Sequence, residues 1–298
     1  GVGIIGDVPM FVSHQSADVW THPAAFLLYD NGRPRFVAGA PPDAFNADGQ
    51  RWGNALYDWP VHAKTGFMWW KARIRRQLEL FDLLRLDHFI GFRRYWRVPA
   101  RARSAKNGRW IGAPGGALLR ALEEEHGALP FLAEDLGAVT QEVWDLRDQY
   151  RLPGMTVLQF AFGDQDGNRV HRPHAYSQAT VAFTGTHDSD TMLGWYRDLR
   201  RAARSHDEAK ADLTRAQDYL GAKRNDEVVD AAVRAIYASP ADTAIVPMQD
   251  VLRLDGRHRM NRPGVARGNW AWRLKDGELC RPVAARLRRL AEVTDRLA

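Results

Sequence analysis

Cysteine and long apolar runs are scarce in this sequence of 298 residues. Cys280 is the single cysteine, so no intrachain disulfide can form, and the composition fits a reducing compartment and predicts a cytoplasmic location. No apolar run approaches the about 18–20 residues needed to cross a bilayer. These absences exclude a disulfide-stabilised secreted domain, and we expect no membrane partner.

Metal-binding motifs and phosphate-cradling glycine loops are also missing. His171 and His174, with a proline between them, would make a poor metal site, so we expect neither a metal nor a cofactor. The net charge of +6 raises the question of nucleic acid. The arginines are scattered, however, over helix-like stretches such as 73–76 and 286–289. We interpret them as solvated helix faces and expect no nucleic-acid partner.

Three apolar stretches of the sequence each end in a carboxylate. The first runs into Asp87, the second into Glu134 and the third into Asp188. Short stretches that are apolar throughout predict strands buried on both faces, as in a parallel sheet. One such stretch alone would favour a structural Arg–Asp pair. Because side chains at the carboxyl ends of barrel strands carry the chemistry, the repetition favours a common site.

Six buried strands are predicted, ending near residues 7, 87, 134, 160, 186 and 248, with helices such as 67–81, 117–125 and 283–297 between or after them. A closed α/β barrel needs eight strands. The sequence therefore predicts an α/β fold, a (β/α)8 TIM barrel that lacks its first two strands and carries loop subdomain insertions. We expect one catalytic barrel over residues 1–298 that starts at its third strand.

Regular patterns fade between Ser13 and Trp59, where glycine, proline and aromatic residues accumulate. Loops of this length inside a compact domain tend to be functional, and we expect residues 13–80 to form an inserted aromatic-rich loop subdomain. Aromatic rings beside Gln, Asn and Arg suit a sugar, whose C–H face packs on a ring while its hydroxyls bond to polar groups. A loop fixed by its own tryptophans would show the same pattern, so both interpretations stay open. Further loops are predicted at 95–99 and 108–110.

Acids gathered with an arginine and histidines suit the chemistry of glycosidic bonds. A retaining mechanism needs a nucleophilic carboxylate and a protonated acid about 5–5.5 Å apart. Asp87 suits the first role because Arg85, on the same strand face, would keep it ionised. Glu134 suits the second role because crowding and partial burial favour its protonated form. Asp188 would then face the sugar hydroxyls.

A series of short motifs in this sequence resembles those of a single family. They are, in chain order, Gly6–Val12, Gly49–Asn54, Arg85–Phe89, Ala133–Gly137, Pro153–Met155, Leu158–Phe160, Gly185–Asp188 and Gly268–Arg273. By these motifs the sequence is identified as a member of the 4-α-glucanotransferase family, glycoside hydrolase family 77, which includes the amylomaltases. So many motifs in the same order make the resemblance specific.

The resemblance implies that Asp87 is the nucleophile, Glu134 the general acid/base and Asp188 the transition-state stabiliser. The pattern and the resemblance together give these candidate substrate-binding residues: Asp7, Arg85, His88, His187, Asp43, Phe45, Gln50, Trp52, Asn54, Gln159, Asn269 and Trp270.

The family's reaction moves an α-1,4-glucan segment to the 4-hydroxyl of glucose or another glucan through a covalent intermediate. The expected partners are therefore α-1,4-glucans, namely maltooligosaccharides, amylose and glycogen-derived dextrins, with glucose as an acceptor. Two alternatives stay open: an α-glucan hydrolase of the amylase type, and a non-catalytic glucan-binding fragment.

Overall fold

The computed structural model describes residues 1–42, 46–265 and 267–297. The chain divides into two compact units, Gly1–Gly154 and Met155–Ala298. The strands of the described residues are β1 Ile5–Val8, β2 Phe36–Ala40, β3 Gln50–Ala55, β4 Leu83–Leu86, β5 Arg94–Pro99, β6 Arg109–Gly112, β7 Phe131–Ala133, β8 Gly154–Val157, β9 Thr180–Phe183 and β10 Thr243–Ile245.

Helices follow most of these strands along the chain. The helices of the described residues are α1 Ala17–Thr21, α2 Trp59–Lys64, α3 Met68–Leu78, α4 Ile90–Arg93, α5 Gly115–His126, α6 Gln141–Gln149, α7 Asp166–Arg169, α8 Met192–Ala202, α9 Asp207–Leu220, α10 Asn225–Tyr237, α11 Met248–Val251 and α12 Arg281–Val293. The helices predicted at 67–81, 117–125 and 283–297 are confirmed, with ends that differ by a few residues. No helix in the described part of the chain is long and apolar enough to cross a membrane.

A parallel sheet with the strand order β1-β4-β7 forms the centre of the first unit. Leu84, Leu86 and Phe131 on its strands are almost fully buried, because helices α3 and α5 pack into the same hydrophobic core. Such strands, buried on both faces, are typical of a parallel sheet covered by helices. The three strands predicted in this part of the sequence are confirmed.

The first unit also contains an antiparallel sheet in the order β3-β2-β5-β6. The prediction of loops at 95–99 and 108–110 was wrong, because these residues belong largely to β5 and β6. The sequence pattern of this sheet is weak because β2 pairs with the distant β5 and because the pairing of β2 with β3 is irregular between Val37 and Gly39. A side chain at Gly39 would collide with the backbone oxygen of Gln50. Long-range pairing of this kind overrides local patterns. The inserted subdomain at 13–80 stays a prediction.

The second unit contains a parallel sheet in the order β10-β9-β8. All four residues of β9 are buried, and helices α8 and α10 share a hydrophobic core. Two strand predictions were too long. Residues 158–160 form a 3-10 helix, and residues after Pro247 form α11. Proline has no N–H for a sheet ladder, so the strand ends before it.

Candidate active site

Three carboxylates lie at the carboxyl ends of the adjacent strands β1, β4 and β7. Asp7 pairs in register with Arg85. The backbone N–H of Asp87 donates to the oxygen of Val8 at 3.0 Å, and that of Glu134 donates to the oxygen of Leu86 at 3.0 Å. These bonds continue the parallel ladder by one residue past each strand. They bring Asp87 and Glu134 to the edge of the sheet where Asp7 also lies. The predicted convergence of Asp87, Glu134 and Asp188 on one site stays a prediction.

Arg85 joins two of these acids. Its Nη1 lies 2.7 Å from Oδ1 of Asp7 and 2.8 Å from Oδ1 of Asp87. The arginine side chain is only 12% exposed, against 38% for Asp87. A buried guanidinium at this distance favours the ionised carboxylate and fixes its orientation. The Asp87 carboxylate is thus oriented by an ion pair with Arg85 while remaining partly exposed.

The surroundings of the Glu134 carboxyl favour its protonated form. Burial, the largest effect, raises the pKa of its carboxyl to about 8, and the charge of Asp87 adds to this rise. Arg85 and two backbone N–H groups act against it: His88 donates to Oε2 at 2.7 Å and Leu136 donates to Oε1 at 3.2 Å. Because burial prevails, Glu134 keeps its proton at neutral pH, as an acid catalyst must.

His88 contacts both the carboxyl of Glu134 and the aromatic ring of Trp52. Its backbone has a φ of +50°, a left-handed conformation that costs energy for a residue with a side chain. This conformation allows its N–H to reach Glu134. Burial lowers the pKa of the His88 ring to about 4, so the imidazole is neutral at pH 7. Its ring meets Trp52 edge to face, with 4.9 Å between centroids.

The other candidates of the first unit lie on or near β3. Trp52 is 39% exposed, and its indole N–H donates to Oε1 of Gln50 at 3.0 Å. Asn54 donates through Nδ2 to the backbone oxygen of Phe11 at 3.4 Å. Trp52 therefore offers a ring face beside His88. Asp43 and Phe45 lie outside the described residues.

In the second unit, two side chains lie against the carboxylate of Asp188. Nδ2 of Asn261 donates to its Oδ1 at 2.6 Å, and Nε2 of His187 lies 3.3 Å from its Oδ2. Arg259 donates to the backbone oxygen of Asp188 at 3.0 Å. Sequence reasoning missed Arg259 and Asn261. The sequence shows only that Asn261 lies in a polar stretch just before the Pro263–Gly264 turn, which does not indicate a contact with Asp188.

Trp270 packs against this group, with its ring centroid 5.1 Å from that of His187 and its side chain 54% exposed. Asn269 instead bonds within its own loop: its Oδ1 accepts from the N–H of Arg262 at 3.0 Å, and its Nδ2 donates to the oxygen of Val265 at 2.9 Å. Gln159 is buried and donates to the oxygen of Asp190 at 2.7 Å. Substrate contacts for Asn269 and Gln159 stay predictions.

The acids and histidines whose positions are described above form no metal-binding cluster. Among the residues that the structure describes, no group of three or more His, Cys, Asp or Glu side chains is arranged to hold a metal ion.

Comparison with known proteins identifies the family. Residues 1–279 match the family model described as 4-alpha-glucanotransferase, and the chain belongs to this family. It is 49% identical over 299 residues to a 4-alpha-glucanotransferase of Thermus thermophilus, covering 100% of this chain and 59% of the relative. The corresponding enzyme of Aquifex aeolicus is 44% identical over 277 residues, covering 93% of this chain and 55% of the relative.

The same comparison extends to solved structures. An amylomaltase from Streptococcus agalactiae, solved in complex with acarbose, matches with a TM-score of 0.92 and 36% identity, covering 100% of this chain and 58% of that one. Amylomaltases have a TIM-barrel fold, so the predicted α/β-barrel class is confirmed. The chain spans between half and two thirds of the length of these relatives.

Proposed function

We propose that the chain carries the catalytic carboxylates of a retaining 4-α-glucanotransferase. This enzyme would move α-1,4-glucan segments from a donor glucan to the 4-hydroxyl of glucose or of another glucan. The observation that carries the proposal is the contrast between two neighbouring acids. Asp87 is ion-paired with Arg85, while burial raises the pKa of Glu134 to about 8. Environments that favour the ionised form of one carboxyl and the protonated form of its neighbour suit a nucleophile and an acid, respectively.

The two acids would work in two balanced steps. In the first, an oxygen of Asp87 bonds to the anomeric carbon as the glycosidic C–O bond breaks, and Glu134 gives its proton to the departing oxygen. In the second, the ionised Glu134 takes the proton of an acceptor hydroxyl. That hydroxyl oxygen bonds to the anomeric carbon while the bond to Asp87 breaks. Glu134 ends protonated, ready for the next cycle.

Asp188 of the second unit is proposed as the third acid, in the stabilising role that the resemblance implies. Its carboxylate is fixed by Asn261 and by His187. A carboxylate held ready in this way stabilises the positive charge of an oxocarbenium-like transition state without reorganising. His187 and His88 are proposed as partners of sugar hydroxyls, and Asp7 as a further polar contact.

Exposed aromatic rings support a sugar substrate and transfer. Trp52 lies beside His88 in the first unit, and Trp270 lies beside His187 in the second. A ring that orients an acceptor sugar and excludes water favours transfer over hydrolysis of the covalent intermediate. An amylomaltase similar to this chain was solved with acarbose, which supports a saccharide ligand here.

The products formed from maltotriose test the proposal. Transfer gives glucose together with maltooligosaccharides longer than the substrate, and isotopically labelled glucose becomes incorporated as the acceptor end. Hydrolysis would give only shorter sugars. The Asp87→Asn variant should lose this activity, whereas Asp30→Asn, which changes an exposed aspartate in the first unit, should keep it. If only sugars shorter than maltotriose are released, the proposed transferase activity is wrong and the activity is that of a hydrolase.

A further inference from the structure

A cleft of about 270 Å³ lies in the first unit between the segment 13–15 and strand β3. Val37 is among the residues that line it, and its polar lining includes Ser13, Gln15, Arg51 and Asn54, with Trp52 beside them. Apart from Trp52 and Asn54, none of these residues has a part in the two steps or the sugar contacts proposed above.

The walls of the cleft are fixed by contacts outside it. His14, next to Ser13 and Gln15, has its Nε2 2.8 Å from the oxygen of Gly32. Val37 is 1% exposed and packs with Val98 and Ala105. A preformed cleft of this kind loses little conformational entropy when a ligand binds, because its side chains are already ordered.

The chemistry of the lining selects a neutral polyhydroxylated ligand. Among the residues that the structure describes, the lining offers an indole, an imidazole, two amides, a hydroxyl and a guanidinium, and it includes no carboxylate. Arg51 donates through Nη2 to the oxygen of Ala100 at 2.8 Å, so part of its donor set is already used by the protein. Pockets for drug-sized ligands measure about 300–1,000 Å³, so this cleft suits about one sugar ring.

Trp52 places the cleft next to the acids. The same indole that lines the cleft meets the His88 ring at 4.9 Å, and the backbone of His88 bonds to Glu134 at 2.7 Å. Trp52 and His88 therefore lie between this cleft and the carboxyl that is proposed to protonate the leaving oxygen.

We propose that the cleft binds a glucose unit of the glucan chain away from the bond being cleaved, with Gln15 and Arg51 as the residues that determine preference for longer chains. This inference rests on the proposed transferase function. Binding energy gained at a remote sugar can be used to orient the reacting one. Longer glucans should then gain from the cleft more than maltotriose does.

A binding experiment tests the cleft without turnover. In an Asp87→Asn background, the indole N–H signal of Trp52 is assigned by its loss in Trp52→Phe, with the exposed Trp20→Phe as the matched control. Maltoheptaose should shift this signal saturably. Gln15→Leu should weaken binding by about fivefold, the loss of one neutral hydrogen bond, and Arg51→Met should weaken it by about tenfold or more, because the guanidinium is charged. Gln141→Leu, at the exposed start of α6, should leave it unchanged.

Two results would overturn the cleft proposal: equal affinity in Gln15→Leu, Arg51→Met and the parent, or a Trp52 response to inorganic phosphate and none to maltoheptaose. A kinetic arm separates this failure from that of the transferase. Both variants should lower kcat/KM for maltoheptaose by a larger factor than for maltotriose. An unchanged ratio in an active chain rejects the cleft alone. Saturable binding that depends on Gln15, in a chain that forms no transfer products, rejects the transferase alone.

Discussion

Replacement of Glu134 by glutamine should remove a pH-dependent loss of stability from the folded chain. Burial raises the pKa of this carboxyl from its ordinary 4.5 to about 8. Between these values the folded chain holds a proton that the unfolded chain has released. Stability should therefore fall as pH rises through this window. Glutamine has a similar shape and does not titrate, so the Glu134→Gln variant should lack this fall.

The size of the effect follows from the two pKa values. Each pH unit in the window changes the free energy of unfolding by about 1.4 kcal/mol. The interval between 4.5 and about 8 gives a difference of about 5 kcal/mol between variant and parent at the alkaline end. At acid pH, below the lower value, Glu134 is protonated in both states and the difference disappears.

Urea denaturation of parent and variant across the window measures this difference directly. The Glu124→Gln variant, which changes an exposed glutamate of α5, is the matched control and should follow the parent at every pH. Stability curves of the parent and Glu134→Gln that run parallel from acid to alkaline pH would refute the argument. Glu134 would then titrate normally, and burial would not explain an acid role.

Further predictions concern activity and are checked by steady-state kinetics on maltotriose. Transfer by the parent should decline as pH rises through about 8, because Glu134 loses the proton that it is proposed to donate. Glu134→Gln should lower kcat by about 10²–10⁴ and remove this alkaline decline from the pH–rate profile. Arg85→Met should lower kcat, because it removes the ion pair at 2.8 Å that keeps Asp87 charged; an unchanged kcat would contradict this role. Asn261→Ala should reduce kcat more than it raises KM, because the bond of 2.6 Å orients Asp188; an effect on KM alone would contradict it. Trp52→Ala should chiefly raise KM through the loss of a ring face.

The buried parallel strands could be predicted from local sequence patterns. Apolar strands that end in Asp87 and Glu134 could be recognised because burial on both faces leaves a continuous apolar run. Sequence reasoning failed where structure depends on distant partners. The antiparallel pairing of β2 with β5 joins stretches far apart in the chain, and no local alternation indicates it.

The same limit applies to individual residues. Asn261 and Arg259 reach Asp188 from more than 70 positions away in sequence, so only the fold reveals the contact. Pro247 could have placed the end of the last predicted strand, given near residue 248, before the proline, because proline cannot extend a parallel ladder. The pKa of Glu134 was predictable in direction but needed the actual burial to be given a value.

Trapping of the covalent intermediate tests the central claim most directly. α-Maltotriosyl fluoride needs no acid to release its leaving group, so the Glu134→Gln variant should form the glycosyl-enzyme and then lack the base that resolves it. Intact mass spectrometry followed by peptide mapping should find one maltotriosyl group on the peptide that contains Asp87. An adduct on another carboxylate, or consumption of the fluoride by the parent with no adduct on Asp87 in the variant, would contradict the proposed mechanism.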